Sequence, residues 1–182
     1  NGFIKRLPAD TYNVQHRGGR GITGMTTRED DTVENMFVCS SHDYIMLFSN
    51  LGRMYRIKAY EIPEGSRTSK GMNIVNILPL MADEKITIIL PASELDEEKF
   101  ITMVTKKGII KRTKLSEFKH TRKTGIIAIS IDDDDELTFV KMTDGNDNLF
   151  IATKKGMAIQ FNENQVRAMG RGARGVKAIT MK

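Results

Sequence analysis

The segment Gln15-His16-Arg17-Gly18-Gly19-Arg20-Gly21, called the box below, combines residue types that bind phosphate. Glycines let the backbone approach a phosphate closely, while the guanidinium groups of Arg17 and Arg20 can pair with its oxygens. His16 adds a charge that depends on pH. Arginine interleaved with glycine is also typical of a flexible, solvated loop, so the box alone leaves both interpretations open.

Other reactive residue types lack the spacing that catalysis or metal binding needs. The run Asp132 to Asp135 offers paired carboxylates, but neighbours on a strand face opposite ways and such a run usually marks a solvated turn. The three histidines have no Ser, Cys or Asp partner at a recognisable spacing. The single cysteine, Cys39, excludes an internal disulfide and a zinc module, and favours a reducing compartment. We therefore predict no catalytic residue and no metal site.

The charges are sorted along the chain, although the net charge is only +5. The windows 2–21, 52–71, 106–125 and 154–177 hold 23 of the 28 Lys and Arg residues and 5 of the 23 Asp and Glu residues. Basic loops can simply solubilise a protein, but solubility alone would scatter both signs. The sorting predicts a continuous basic rim that binds a polyanion.

An internal repeat places these windows at equivalent positions. Each repeat has an opening glycine and, 17 to 19 residues later, a second glycine. The opening glycines are Gly2, Gly52, Gly108 and Gly156, and the second glycines are Gly21, Gly71, Gly125 and Gly175. The pattern divides residues 1–182, which we interpret as a fragment of one domain, into repeats near 2–51, 52–107, 108–155 and 156–182.

The repeat predicts an all-β, propeller-like fold. Apolar runs at 44–48, 100–104 and 149–153 each precede an opening glycine, as in a β-hairpin. Further strands are predicted after the second glycine, at 126–131 and 176–181, and before the next hairpin, at 85–90 and 137–142. Four strands per repeat is the unit of a bladed protein, so the chain forms about three and a half blades of an incomplete ring. Segments 115–118 and 162–166 are expected to form single helical turns.

Two kinds of binding partner fit a basic rim. The windows contain few aromatic residues for base stacking, and no recognition helix is evident. Contact with the phosphate backbone of bent duplex DNA, independent of sequence, is the mode that remains for a nucleic acid. The alternative is a propeller scaffold whose basic rim binds an acidic protein. No apolar run is long enough to span a membrane.

The box and several later segments resemble the C-terminal domain family of the bacterial DNA gyrase A protein. The family's box reads Gln-Arg-Arg-Gly-Gly-Lys-Gly, so His16 replaces an arginine and Arg20 replaces a lysine. Segments 68–71, 75–79, 166–171 and 175–176 extend the resemblance over the whole chain. The topoisomerase IV C-terminal domain is an alternative that shares the blades, but it characteristically lacks an intact box.

The resemblance implies a β-pinwheel, a six-bladed disc whose basic perimeter wraps duplex DNA. The wrap would impose a positive crossover, so that strand passage introduces negative supercoils. The parent would be an ATP-dependent type IIA topoisomerase that uses ATP and Mg²⁺ outside this non-catalytic chain. The implied partners are duplex DNA, the remainder of the gyrase A protein and the gyrase B protein, with no membrane, in the bacterial cytoplasm on the chromosome.

The predicted site residues fall into two groups. The box, Gln15 to Gly21, rests on the motif, and the rim rests on charge sorting. The predicted rim residues are Lys5, Arg6, Arg53, Arg56, Arg67, Lys70, Lys111, Arg112, Arg122, Lys123, Arg167, Arg171 and Arg174.

Overall fold

A computed structural model describes residues 2–12, 16–21, 24–25, 32–93, 96 and 98–181. In these residues the regular structure consists of short β-strands and single 3₁₀ turns, with no α-helix. The strands are β1 Phe3–Ile4, β2 Tyr44–Ser49, β3 Arg53–Lys58, β4 Met72–Asn73, β5 Ile86–Ala92, β6 Phe100–Thr105, β7 Ile109–Lys114, β8 Ile126–Ile127, β9 Leu137–Thr143, β10 Asn148–Ala152, β11 Ala158–Asn162 and β12 Val176–Lys177. The 3₁₀ turns are Ala9–Thr11, Ala59–Glu61, Ile74–Asn76, Leu115–Phe118 and Glu163–Gln165. The predicted all-β class and both predicted helical turns are confirmed.

Two four-stranded antiparallel sheets form the centre of the molecule, in the orders β5-β2-β3-β8 and β9-β6-β7-β12. Each is built on a hairpin, β2–β3 or β6–β7, that turns at an opening glycine. The hairpin β10–β11 and the pair β1–β4 form two-stranded sheets. No sheet closes on itself within the described residues, which agrees with the predicted open, bladed arrangement.

Each four-stranded sheet combines strands from three consecutive repeats, which the sequence did not predict. The strands after the second glycines are only two residues long, shorter than predicted at 126–131 and 176–181, and each pairs with the strand that follows the opening glycine of the preceding repeat. The register aligns Ile4 with Met72, Met54 with Ile126, and Ile110 with Val176. Consecutive repeats are therefore joined by backbone hydrogen bonds as well as by packing.

Close contact at the junctions between repeats requires glycine at several of the recurring positions. Gly108 has φ +81°, and a Cβ atom there would lie 2.6 Å from the carbonyl oxygen of Ile179 in the next repeat. Gly175, with φ +101°, lies on the other side of the same junction, where a Cβ atom would be 2.5 Å from the Ile110 carbonyl oxygen. A side chain at either position would meet backbone, so both glycines are needed for close contact as well as for turn geometry.

The core lies on both faces of the β2–β3 sheet. Met46 and Phe48 belong to the same buried cluster as Met103 of the next blade. Ile45 and Leu47, on the opposite face, belong to a second buried cluster. Because both faces are covered, the strand is a continuous apolar run rather than an alternating one.

The hairpin β10–β11 is less covered than the hairpins before it. Phe150 is 69% exposed, whereas Met46, at the equivalent distance before its opening glycine, is 1% exposed. A Cβ atom at Gly156 would have no atom within 4 Å.

Within the described residues, no helix is long and apolar enough to cross a membrane.

Candidate nucleic-acid interface

The described part of the box is an exposed turn. The Gly19 N–H donates to the His16 carbonyl oxygen at 2.9 Å, and Gly18 adopts φ +86°. His16, Arg17 and Arg20 are exposed, so the two guanidinium groups can reach a ligand in solvent. Gln15 lies outside the described residues.

Three further loops carry exposed cations immediately before a second glycine. These basic loops are residues 66–70, 121–124 and 170–174. Arg67, Arg122, Lys123 and Arg174 are exposed, and Arg171 and Lys70 are half-buried, with the Lys70 ammonium 3.9 Å from the Phe3 ring centre. Arg167 is exposed just before the last loop. Equivalent loops of successive repeats therefore present positive charge to solvent.

The predicted rim residues Lys111 and Arg112 lie inside the protein, which corrects their assignment. Lys111 is fully buried, and its Nζ donates to the carbonyl oxygens of Ala128, at 2.7 Å, and Arg171. Arg112 is 7% exposed and pairs with Glu163 at 3.2 Å. Adjacent residues on a strand face opposite ways, and both faces of β7 are covered, so neither of these neighbouring cations reaches solvent.

Four other predicted rim residues are half-buried, and each donates to a backbone carbonyl oxygen of the following repeat. They are Lys5, Arg6, Arg53 and Arg56. The Arg56 guanidinium donates to the Phe118 carbonyl oxygen at 3.0 Å and lies 3.4 Å from the Tyr44 ring centre. Arg6 donates to the Ile62 carbonyl oxygen at 3.2 Å and pairs with Glu64. These side chains hold repeats together, and they are not the exposed rim that the sequence predicted.

The acidic turn 132–136 pairs with basic side chains of the protein. Lys106 lies 3.7 Å from Glu136, Lys107 pairs with Asp134, and Arg174 pairs with Asp132. The hydrogen bond from Lys107 holds the pKa of Asp134 below its ordinary value. The run therefore acts as a counter-charge to neighbouring loops, as expected of a solvated turn.

A second acidic group, which the sequence analysis did not single out, lies at the end of β9. Among the described residues, Asp144, Asp147 and Glu163 bring carboxylate oxygens within 4.8 Å of one another. Burial acts to raise the pKa of Glu163, but hydrogen bonds from Asp147 N–H, Thr143, Arg112 and Gly145 N–H hold it below its ordinary value. Both oxygens of Glu163 accept from protein donors, so this group does not fit Mg²⁺.

An open array of β-blades with exposed cations on equivalent loops is a propeller-like domain suited to polyanions. A family model described as "DNA gyrase C-terminal domain, beta-propeller" matches residues 1–40, 43–93, 99–144 and 147–182. The chain belongs to this DNA gyrase C-terminal domain family, and so has a role in the gyrase system of DNA topoisomerases.

Curated relatives extend this finding. The chain is 56% identical over 176 residues to the DNA gyrase A protein of Clostridium acetobutylicum, covering 97% of this chain and 21% of that protein. It is 49% identical over 180 residues to the DNA gyrase A protein of Halalkalibacterium halodurans, covering 99% of this chain and 22% of that protein. The chain thus spans about a fifth of the length of these relatives.

Solved structures share the fold. The crystal structure of a DNA topoisomerase IV C-terminal domain matches with a TM-score of 0.84 at 28% identity, covering 100% of this chain and 55% of that one. A DNA gyrase A C-terminal domain matches with a TM-score of 0.69 at 29% identity, covering 100% of this chain and 58% of that one. The fold is therefore common to both topoisomerase types, while the curated relatives named above are gyrases.

Proposed function

We propose that this chain binds duplex DNA independently of sequence and wraps it chirally, so that gyrase can introduce negative supercoils. The observation that carries the proposal is the recurrence of exposed cations on equivalent loops of successive repeats, together with an exposed box. Loops of this kind can neutralise phosphates along a curved path without reading bases. The partners are duplex DNA, the rest of the gyrase A protein and the gyrase B protein, and ATP and Mg²⁺ act elsewhere in the enzyme.

The side chains proposed to contact phosphate are those on the box and the basic loops, together with Arg167 just before the last loop. They are Arg17, Arg20, Arg67, Lys70, Arg122, Lys123, Arg167, Arg171 and Arg174. Each phosphate neutralised contributes about −0.9 to the slope of log affinity against log salt, so nine contacts set a limit of about −8. A steep slope that is the same for unrelated duplex sequences is the expected result.

A linking-number assay tests chiral wrapping. The chain is bound to closed circular plasmid, unconstrained supercoils are relaxed with a type I topoisomerase, and the deproteinised DNA is separated on gels. Positively shifted topoisomers are expected. Binding without a shift would contradict wrapping by this chain, and no affinity for duplex at modest salt would favour a scaffold for an acidic protein.

The box is tested by replacing two arginines. The double variant Arg17→Ala, Arg20→Ala is expected to lose the linking-number shift while keeping most DNA affinity, because the basic loops retain their charge. The matched control is Lys154→Ala, Lys155→Ala, which removes two exposed charges from the β10–β11 turn. The control should keep the shift, and equal loss in both variants would show that the box has no special part in wrapping.

A further inference from the structure

Cations of the preceding repeat donate hydrogen bonds to the backbone carbonyl oxygens of the basic loops. At the first junction, Lys5 Nζ donates to the carbonyl oxygens of Ser66 at 3.1 Å, Arg67 at 2.6 Å and Ser69 at 2.9 Å. All three acceptors belong to the basic loop 66–70. One ammonium group thus binds three of the five backbone carbonyl oxygens of that loop.

The same arrangement recurs two repeats later. Lys111, like Lys5, stands three residues after an opening glycine. Its buried Nζ donates to the carbonyl oxygen of Arg171 in the basic loop 170–174, and to that of Ala128 at 2.7 Å. A buried ammonium is unfavourable unless its protons are hydrogen-bonded, so these carbonyl groups explain how Lys111 is tolerated.

At the junction between the second and third repeats, different residues hold the basic loop. Tyr55 stands three residues after the opening glycine, and a Cβ atom at Gly125 would lie 2.7 Å from its ring. Arg53, two residues earlier, donates from Nη2 to the Thr124 carbonyl oxygen at 2.6 Å. The loop 121–124 is therefore also held by a cation of the preceding hairpin.

We infer that Lys5, Arg53 and Lys111 are positioning residues that hold the basic loops by their carbonyl oxygens and so direct the loop cations toward DNA. They do not contact DNA themselves. The inference rests on the proposed function, because it explains how the contacting side chains are ordered before binding. A loop that is already ordered loses less conformational entropy when it binds, which increases affinity.

The test is a double-mutant cycle on the last loop. Lys111→Met removes the donor while keeping an unbranched apolar side chain, and Arg171→Ala, Arg174→Ala removes the cations that it positions. Lys114→Met is the matched control, because Lys114 is an exposed lysine on the same strand. Affinity for a random-sequence duplex is measured over a range of salt concentrations.

Lys111→Met is expected to weaken binding about tenfold and to reduce the salt slope by about 2, since two loop cations lose their positions. Lys114→Met should reduce the slope by about 1 at most. In the Arg171→Ala, Arg174→Ala background, Lys111→Met should have no further effect. Equal effects of Lys111→Met and Lys114→Met, or full additivity in the cycle, would overturn the inference.

Amide hydrogen exchange separates this inference from the proposed function. In the protein without DNA, Lys111→Met should speed exchange selectively in residues 170–175, and unchanged exchange there would overturn the positioning role even if DNA binds. If the wild-type chain does not bind duplex, the proposed function fails while the exchange result still stands. Should Lys111→Met not fold, Lys5→Met applies the same measurements to residues 66–70.

Discussion

Replacing Gly108 by alanine tests whether the glycines hold consecutive repeats together. Gly108 has φ +81°, and its added Cβ atom would lie 2.6 Å from the Ile179 carbonyl oxygen and 3.0 Å from Ile179 Cγ2. The Gly108 carbonyl oxygen also accepts from the Ala178 N–H at 2.8 Å. The backbone on both sides of the junction must therefore shift to admit one methyl group.

Gly156 supplies a matched control within the same chain. It occupies the same place in the next repeat with φ +80°, but its added Cβ atom would have no atom within 4 Å. Left-handed backbone costs alanine about 1–2 kcal/mol, partly offset by about 0.4–1 kcal/mol from the less flexible unfolded chain. Gly156→Ala should therefore destabilise the protein by about 1 kcal/mol.

Gly108→Ala carries the same conformational cost and adds a steric cost to the free energy of unfolding. Overpacking at a site that cannot relax freely costs about 1–3 kcal/mol, so the total loss should be about 2–4 kcal/mol. Urea unfolding of both variants beside the wild type, followed by circular dichroism, measures the difference. Losses that agree within about 0.5 kcal/mol would refute the argument that contact between repeats, rather than turn conformation alone, requires glycine.

Two further predictions concern buried charges. Burial, reinforced by Arg171 and opposed by Glu117, lowers the pKa of Lys111 to about 8, below its ordinary 10.5. Between these two pH values the unfolded chain binds more protons than the folded protein, so wild-type stability relative to Lys111→Met should rise by up to about 3 kcal/mol from pH 8 to 10.5. Urea unfolding of both proteins across this pH range measures the difference. The absence of a rise would contradict the burial of Lys111. Glu163→Gln should lose about 3 kcal/mol at pH 7 by leaving Arg112 without its charge partner, as measured by urea unfolding. Because the Glu163 pKa is held below 4.5, that loss should shrink as the pH falls below 4.5, and a deficit independent of pH would argue against the ion pair.

The sequence predicted the hairpins because their information is local. An apolar run followed by a tight turn with glycine specifies a hairpin within about a dozen residues, as at β2–β3, β6–β7 and β10–β11. The repeat spacing then identified the bladed class, because equivalent segments recur at equivalent places. The exposure of Arg17 and Arg20 also followed from local composition, since a glycine-rich basic segment has too few apolar side chains to bury.

Local sequence could not predict which strands pair with one another. The two-residue strands β4, β8 and β12 pair with strands of the preceding repeat, far earlier in the chain. The backbone N–H and C=O groups of a two-residue strand are the same whichever strand it pairs with. The choice of partner therefore depends on close contact between repeats at glycines such as Gly108 and Gly175.

The sequence by itself determined the class of fold, the positions of the turns and the sorting of charge into basic windows. Only the tertiary structure decided which cations within a window face solvent and which are enclosed. Lys111 and Arg174 belong to the same kind of window, yet one donates to backbone carbonyl oxygens inside a junction and the other lies on the surface. Charge is a property of a residue, but burial depends on which neighbours fold over it, and those neighbours come from another repeat.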